Sequence, residues 1–459
     1  MATPSTPAMN PLLSPQQPPL PPQGFSGKPG NASPDHSGVA PGDIAVGVVV
    51  GRSSEYFDFF VFGLACVLAF PAVYFPFAES RLVGTLYAFT VFALAFVVRP
   101  LGTLLGMAIQ RRFGRSYKLG TAMLLLGTAT AGMAFLPDFE RLGFWAVAFL
   151  VLFRCMQGIA LGATWDGLPS LLAINAPENR RGWYAMLGQL GAPLGFLIAA
   201  SLFAYLWNNL STEDFMEWGW RFPFYVAFAI NVVATFARLR LVVTHEYESA
   251  LQAHELEPCR VRDLMSSGQG QRANIFIGAF AALASFALFH IVTVFPLSWI
   301  QLQTNASVGD FLEVQIVGAL LAGAAMPVSG LIANRIGRRS TLGTLAVLIG
   351  IFGFAAPWLL GGDVQGQAAF VLVGFVLLGL SYGQSSGSVT SNFLPHFRYT
   401  GAALTADVAW LIGAAFAPLV ALGLSQRFGL IAVSFYLLSG VICTLLALRL
   451  NKSLAAARD

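Results

Sequence analysis

The chain has 459 residues, of which 56% are hydrophobic and only 10% are charged. A soluble domain carries about 25% charged residues, so this composition excludes an ordinary water-soluble fold and favours a membrane-spanning protein. The formal net charge of +4 is attributed to membrane topology and not to nucleic-acid binding.

Residues 1–42 are rich in Pro, Ser and Gly. The segment lacks the basic start and apolar core of a signal peptide, so we expect a disordered cytoplasmic extension. The alternative, a docking role for the PQQPPLPP stretch, stays open.

Twelve apolar segments follow, each long enough to supply the roughly 20 residues that a helix needs to cross a bilayer. They run over about 44–70, 82–107, 117–136, 144–172, 183–206, 221–243, 273–300, 312–333, 341–360, 367–391, 400–423 and 430–449. Since they are too long and too uniformly apolar for barrel strands, the sequence predicts an all-α membrane protein.

The basic residues of the loops predict the orientation. Eighteen Lys and Arg side chains fall in the loops and tail on the side of the amino terminus, and the opposite loops hold four: Arg81, Arg141, Arg221 and Arg427. We therefore expect both termini to be cytoplasmic.

A charged stretch separates the sixth and seventh spans and suggests two six-helix halves. The predicted organisation is a tail (1–42), an amino-terminal half (43–243), a cytoplasmic linker (244–272), a carboxyl-terminal half (273–450) and a second tail (451–459).

Three charged residues lie deep in predicted spans, where insertion of a charge costs about 2.5–3.5 kcal/mol. Glu55 and Asp58 share one face of span one, and Arg154 lies in span four. At about 1.5 Å of rise per residue, all three reach the middle of the bilayer. We expect Arg154 to pair with Glu55 or Asp58, either for proton coupling or as a permanent structural ion pair.

Further polar residues within spans are candidate substrate contacts. Arg99 is able to bind an anion or to anchor its helix at the headgroups, and Asp407 is either functional or solvated. His290 is either titratable or a hydrogen-bonded structural residue. Together with Arg154, the candidates are Arg99, Gln157, His290, Tyr382, Gln384 and Asp407.

Two basic turns occur in similar contexts. RPLGTLLGMAIQRRFGR (99–115) and GLIANRIGRR (330–339) end apolar segments at Gly114-Arg115 and Gly337-Arg338. Their separation of about half the chain favours two related halves. The candidate gating residues are Arg111, Gly114, Arg115, Asn334, Arg335, Gly337 and Arg338.

Several stretches carry a family resemblance: GRSSEYFDFFVFG (51–63), RPLG (99–102), FRCMQGIALG (153–162), APENRRG (176–182), EWGWRFPF (217–224) and FRYTGAAL (397–404). Through them the chain resembles the major facilitator superfamily, and more narrowly its metabolite:proton symporters, which include proline/betaine, citrate, α-ketoglutarate and shikimate permeases. The resemblance spans residues 44–450 and implies two six-helix halves around a central cavity.

The chain departs from the family pattern at some positions. Arg111 and Asn334 replace acids of the two basic turns, and Thr164 replaces a glutamate two residues before Asp166. Ala406 and Asp407 replace a tyrosine-asparagine pair. Because guanidinium is only a donor, Arg111 predicts a weaker cytoplasmic latch and a bias toward the inward-open state, unless Glu178 or Asp166 compensates.

The resemblance implies proton-coupled symport of a small organic acid or zwitterion by a monomer in the inner membrane. Partners are the substrate, protons and the lipid bilayer. The chain has no enzyme signature and no P-loop, so we expect no catalytic residues, cofactor or metal. Two alternatives are export of a metabolite or toxic compound, and a transporter-like sensor that does not cycle.

Overall fold

The computed structural model describes residues 41–165, 180–242, 257–267, 270–386 and 393–451. These residues form twelve long helices: α1 (Pro41–Leu68), α2 (Arg81–Phe113), α3 (Arg115–Phe135), α4 (Phe144–Ala163), α5 (Arg181–Asn209), α6 (Phe222–Val242), α7 (Gln271–Gln303), α8 (Val308–Ile336), α9 (Arg338–Leu360), α10 (Val364–Tyr382), α11 (Arg398–Phe428) and α12 (Ile431–Leu450).

Three of these helices are built from shorter segments. The segments of α5 are Arg181–Leu187 and Gly191–Asn209; those of α7 are Gln271–Ala281, Leu283–Thr293 and Phe295–Gln303; those of α11 are Arg398–Ala409, the π-helical Trp410–Ala414 and Ala417–Phe428. Short helices occupy the connections at Phe70–Val73, Phe139–Leu142, Thr212–Glu217, Gly219–Arg221, Val261–Ser266 and Pro395–Phe397.

Each predicted span overlaps one of the twelve helices, so the all-α prediction is confirmed. Ten of the helices are long and apolar enough to cross a membrane when only described residues are considered. The other two are α1, which carries Arg52, Glu55 and Asp58, and α6. Helices suit this setting because they satisfy the backbone internally, without water.

Glycines allow α2 and α4 to approach closely. A Cβ atom at Gly102 of the RPLG motif would overlap the backbone of Ile159. On α4, a Cβ at Gly158 or Gly162 would overlap the backbone of α2. Small residues serve this purpose between membrane helices, and here the close contact holds Arg99 and Arg154 on neighbouring helices.

The two basic turns have the same structure. Helix α2 starts after a Ser80 cap and ends at Gly114 with φ 84°; α8 starts after a Ser307 cap and ends at Gly337 with φ 83°. Residues other than glycine are disfavoured at such φ angles. The matching ends agree with the repeat that the sequence predicts.

Helix pairs that join the predicted halves include α5 with α8, α2 with α11, α1 with α7 and α2 with α7. Within the predicted linker, residues 257–267 are described and include the helix Val261–Ser266, whose Leu264 is buried against Ile275, Phe393 and Phe397. The predicted tail over residues 1–40, the linker residues 243–256 and the tail residues 452–459 lie outside the described residues.

Candidate transport site

Asp58 of α1 is buried in a network of neutral donors. Its Oδ2 accepts hydrogen bonds from Thr130 Oγ1 at 2.8 Å and from Asn231 Nδ2 at 3.3 Å. Its Oδ1 accepts one from Gln157 Nε2 at 3.1 Å. The carboxyl is only 2% exposed. Four helices, α1, α3, α4 and α6, therefore converge on this carboxyl.

Arg154 is linked to Asp58 through one amide. Its Nη1 donates to Gln157 Oε1 at 2.9 Å, and the same amide donates to Asp58. The guanidinium also donates to the carbonyl of Phe92, at 3.3 Å from Nε and 3.2 Å from Nη2. It lies 4.0 Å from the Phe62 ring centroid, a cation–π distance.

The predicted direct pairing of Arg154 therefore needs correction. Among the described residues, its polar partners are Phe92 and Gln157, and no carboxylate contacts it directly. Glu55 instead pairs with Arg52 Nη1 at 2.7 Å, one turn along α1. The physical reason is local: residues three apart on a helix are neighbours, whereas Arg154 is enclosed by phenylalanine rings.

A second ion pair joins the two predicted halves. Arg99 Nε of α2 lies 3.1 Å from Asp407 Oδ1 of α11. Both side chains are largely buried, with 10% and 3% exposed. The Arg99 guanidinium also lies 5.8 Å from the Trp410 ring centroid. Asp407 is therefore paired with Arg99 and not solvated, and Arg99 does not extend to the headgroups.

Two cavities share Arg52, Arg99 and Trp410 in their walls. The Glu55 cavity, also lined by Glu55, Tyr56 and Phe96, measures about 440 Å³ with its open mouth. The Ser385 cavity, also lined by Ser385, Gln189 and Tyr382, measures about 590 Å³ on the same basis. Both volumes include space that is open to solvent, so they describe the extent of the two openings and not a space enclosed for a ligand.

Aromatic side chains form part of the walls of both cavities. Trp410 stacks on Phe96 with ring centroids 5.6 Å apart, and the hydroxyls of Tyr56 and Tyr382 are hydrogen-bonded to each other. Trp410 begins the π-helical segment of α11. Segments of this kind occur frequently at functional sites, and this one begins three residues after Asp407.

The other predicted substrate contacts lie in different places. Tyr382 lines the Ser385 cavity, but Gln157 and Arg154 belong to the Asp58 network. His290 is fully buried among aromatic rings and lines neither cavity; its nearest polar group is Thr293 Oγ1, 3.5 Å from Nδ1. Gln384 donates to the carbonyl of Gly182 and to Ser329 Oγ, which makes it a contact between helices.

The two basic turns contact their surroundings without the family's acids. Arg111 Nη1 donates to the carbonyl of Cys259 at 3.3 Å, and Asn334 Oδ1 accepts from the backbone N–H of Gly182 at 2.9 Å. Arg115 and Arg338 are buried, whereas Arg335 is exposed. Asp166 and Glu178 lie outside the described residues, so compensation by either acid stays a prediction.

A buried lysine adds a contact that the sequence did not indicate. Lys118 Nζ donates to Tyr399 Oη at 2.8 Å, to Gln110 Oε1 at 2.9 Å and to the carbonyl of Trp165 at 2.6 Å. Tyr399 belongs to α11, so this cluster joins the predicted halves beside the first basic turn. The predicted weakness of the latch at Arg111 stays a prediction.

Sequence reasoning also missed Arg52 and Trp410. Arg52 stands three residues before Glu55, a spacing that places both on one helical face. Trp410 stands three residues after Asp407, so the same rule indicates that it is adjacent. Ser385, which is hydrogen-bonded to Gln189 at 3.3 Å, carries no comparable sequence signal.

Twelve long helices, matched basic turns and cavities lined from both predicted halves define the class of this protein: it is a multi-pass membrane transporter and not an enzyme. Comparisons with known proteins place it more narrowly. Residues 44–247 match the family model described as "Sugar (and other) transporter".

The chain is 33% identical over 415 residues to the inner membrane metabolite transport protein YhjE of Escherichia coli K12, covering 89% of this chain and 93% of that protein. It is 28% identical to the citrate-proton symporter of Klebsiella pneumoniae, covering 87% and 89%. The solved structure of the proton:xylose symporter XylE with 6-bromo-6-deoxy-D-glucose shares the fold, with a TM-score of 0.66, 18% identity and coverage of 89% and 94%. The chain belongs to the major facilitator superfamily, within its sugar and metabolite transporters.

Proposed function

We propose that this protein is a proton-coupled symporter that brings a small metabolite bearing a carboxylate across the inner membrane, with both termini cytoplasmic. The observation that carries the proposal is the arrangement on α1. Glu55 faces a cavity with Arg52 and Arg99, and Asp58, one turn away, lies in the Arg154 network.

The cavity provides the substrate site in this proposal. Arg99 lines both cavities, and guanidinium groups bind carboxylates with strong, charge-assisted hydrogen bonds. Asp407 lies against Arg99 Nε and holds the guanidinium in place. A substrate carboxylate on Arg99 competes with this ion pair between α2 and α11, so binding weakens one link between the halves.

Asp58 provides the proton site. A buried carboxylate is costly unless it is paired or fully hydrogen-bonded, and here it depends on Thr130, Asn231 and Gln157. These donors come from three helices, so a shift among the helices removes some of them. Proton binding to Asp58 then removes the buried charge and lets the helices reach their other arrangement. Alternating access of this type is the general scheme for transporters built from repeats.

The names of two relatives support the proposal. The citrate-proton symporter couples its cargo to protons, as its name states, and the name of YhjE places that protein in the inner membrane.

Uptake into proteoliposomes tests the function. With an inward proton gradient, purified protein should accumulate at least one labelled compound from a panel of shikimate, citrate, proline and glycine betaine, and a protonophore should abolish the accumulation. Asp58→Asn should lose accumulation but keep exchange of labelled for unlabelled substrate, because that exchange needs no net proton movement.

The matched control is Asp310→Asn, which makes the same chemical change at an exposed residue near the start of α8. It should behave as wild type in both assays. Accumulation by Asp58→Asn at the wild-type level would refute the assignment of the proton site. Binding without any flux in the wild type would favour the non-cycling alternative.

A further inference from the structure

Asp407 of α11 is a buried carboxyl that depends on one cation. It is only 2% exposed, and its Oδ1 lies 3.1 Å from Arg99 Nε. No described residue donates a hydrogen bond to its Oδ2. Thr103 of α2 lies beside the carboxyl, but its hydroxyl donates to the carbonyl of Gly162 at 3.3 Å. The ionised form of Asp407 is therefore stabilised mainly by the guanidinium of Arg99, because a buried charge is costly without a partner.

The other charged groups near this part of α11 do not take the place of Arg99. The first segment of α11 packs against α2, the first segment of α7 and the helix Val261–Ser266. Apart from Arg99, the charged residues on these three elements are exposed: Arg81, Arg111, Arg112, Arg262, Asp263 and Arg272. On α11 itself, Arg398 and Tyr399 stand more than two helical turns before Asp407. The charge state of Asp407 therefore follows the state of Arg99.

Arg99 faces the cavities, whereas Asp407 does not. Arg99 lines both the Glu55 cavity and the Ser385 cavity, and Asp407 lines neither of them. Ala406, the residue before it, lines the Ser385 cavity, so the carboxyl lies behind that wall. A guanidinium has five N–H donors, and the contact with Asp407 is at Nε. A carboxylate in either cavity can therefore reach the guanidinium without reaching Asp407.

The charge balance of the ion pair changes when a second carboxylate arrives. Before binding, Arg99 and Asp407 sum to zero. A carboxylate on Arg99 brings the three groups to a net charge of minus one in a largely buried place, which is unfavourable. One proton on Asp407 restores the balance, because the protonated carboxyl is neutral and no longer needs the guanidinium. The carboxylate and the proton then enter as a neutral pair.

From this arrangement we propose that Asp407 is a second proton-binding site, which takes up one proton from the medium when a carboxylate binds Arg99 and releases it when the carboxylate leaves. The proton on Asp58 follows the arrangement of the helices, whereas the proton on Asp407 follows the bound carboxylate. The inference rests on the proposed function, since it takes Arg99 to bind the carboxylate of the substrate. It applies to this chain in particular, because the family pattern has an asparagine at position 407.

Calorimetric binding to the purified, full-length protein tests the proposal. The heat is measured at one pH in two buffers of different ionisation enthalpy, and the difference gives the number of protons taken up. The Asp58→Asn variant is used, so that Asp58 does not contribute, and the probes are shikimate, citrate, proline and glycine betaine. At least one probe should bind with uptake of about one proton, and its affinity should fall by up to about tenfold for each unit that the pH rises.

A further substitution assigns the proton to Asp407. Asp58→Asn/Asp407→Asn should bind the same probe as tightly or more tightly, take up no proton and lose the pH dependence. Asparagine keeps an oxygen for Arg99 Nε and is the residue of the family pattern, so it suits the fold. A purely structural role of Asp407 would weaken binding and leave the proton count unchanged.

Two matched variants in the same Asp58→Asn background complete the test. Glu55→Gln neutralises the carboxyl that lines the Glu55 cavity with Arg99, and the proton uptake should persist whatever its effect on affinity. Asp310→Asn, at the exposed start of α8, should match the background in both affinity and proton count.

The outcomes also separate this inference from the proposed function. Proton-driven accumulation by the wild type, with no proton uptake on binding to Asp58→Asn, would overturn the inference and leave the proposed function intact. Proton uptake that persists without Asp407, or that Glu55→Gln removes, would also overturn it. Binding of none of the four compounds would count against both.

Discussion

Three neutral side chains donate hydrogen bonds to the Asp58 carboxylate, and the amide of Gln157 connects it to the Arg154 guanidinium. Gln157 is the connecting residue, since it accepts from Arg154 and donates to Asp58. A direct ion pair would bind the carboxylate charge more strongly than these neutral donors do. The indirect arrangement therefore suits a residue that must gain and lose a proton during each transport cycle.

The Arg99–Asp407 pair has a different role, because it joins α2 to α11. Removing one member of a buried ion pair leaves an uncompensated charge, at a typical cost of about 3–5 kcal/mol. Replacing both members by apolar residues of similar size is often neutral. A double-mutant cycle can therefore measure how much this ion pair contributes to stability.

Asp407→Leu should lower the melting temperature of the detergent-solubilised protein, because Arg99 stays buried without its partner. The double variant Arg99→Met/Asp407→Leu should recover most of that loss. Both should fail in transport, because Arg99 is missing or no longer held in place. A double variant as unstable as Asp407→Leu would show that the ion pair does not dominate this contact.

At the scale of elements, several residues of the family motifs position the helices. Gly102 of RPLG and Gly158 of FRCMQGIALG let α2 and α4 pack backbone to backbone. Arg221 of EWGWRFPF donates to the carbonyl of Leu136 at 2.5 Å, just past the end of α3. Basic groups are favourable at such helix ends.

The first basic turn provides a test of backbone geometry. Gly114 has φ 84°, and a Cβ there would meet nothing within 4 Å. Gly114 also has ψ 173°, a backbone region that is essentially restricted to glycine, so Gly114→Ala should cost about 1–3 kcal/mol of unfolding free energy through backbone strain alone. Chemical denaturation in micelles measures this cost.

Gly120→Ala is the matched control for that substitution. Gly120 lies within α3, and a Cβ there also meets nothing within 4 Å. Because alanine is the better helix former, the change should be neutral or stabilising by up to about 1 kcal/mol. Equal effects of the two substitutions would contradict the geometric explanation.

At the scale of the whole molecule, the predicted halves touch beside the two basic turns, on the predicted cytoplasmic side, without the acids that the family has there. Lys118 and Tyr399 join α3 to α11, and Asn334 of α8 accepts from Gly182 of α5. Buried hydrogen bonds of a charged donor contribute about 1.5–3 kcal/mol each. We therefore expect this contact between the halves to depend strongly on Lys118.

Tyr399→Phe should weaken this contact and shift the population toward the inward-open state. In a background without native cysteines, Ala406→Cys in the Ser385 cavity should react faster with an impermeant maleimide from the cytoplasmic side. Tyr117→Phe removes a hydroxyl from an exposed tyrosine of α3 and should leave the rate unchanged. An unchanged rate for Tyr399→Phe as well would remove the cluster from the gating scheme.

The fold could be predicted from the sequence because the lipid bilayer imposes a length and a composition on each helix. The proximity of Asp58 and Arg154 followed from depth along two helices. The Arg99–Asp407 pair did not, since the residues are 308 positions apart and their meeting depends on how α2 packs against α11. The cavity assignments of His290 and Gln384 failed for the same reason: burial inside a span does not reveal which side chains face a cavity.

The central claim, that Asp58 binds the proton transported with substrate, is tested most directly by recording external pH around proteoliposomes without an imposed gradient. Adding a substrate identified by uptake should alkalinise the medium for wild type and Asp310→Asn as protons enter with it. Asp58→Asn should give no alkalinisation at equal protein density. Substrate entry without alkalinisation in the wild type, or wild-type alkalinisation by Asp58→Asn, would contradict the claim.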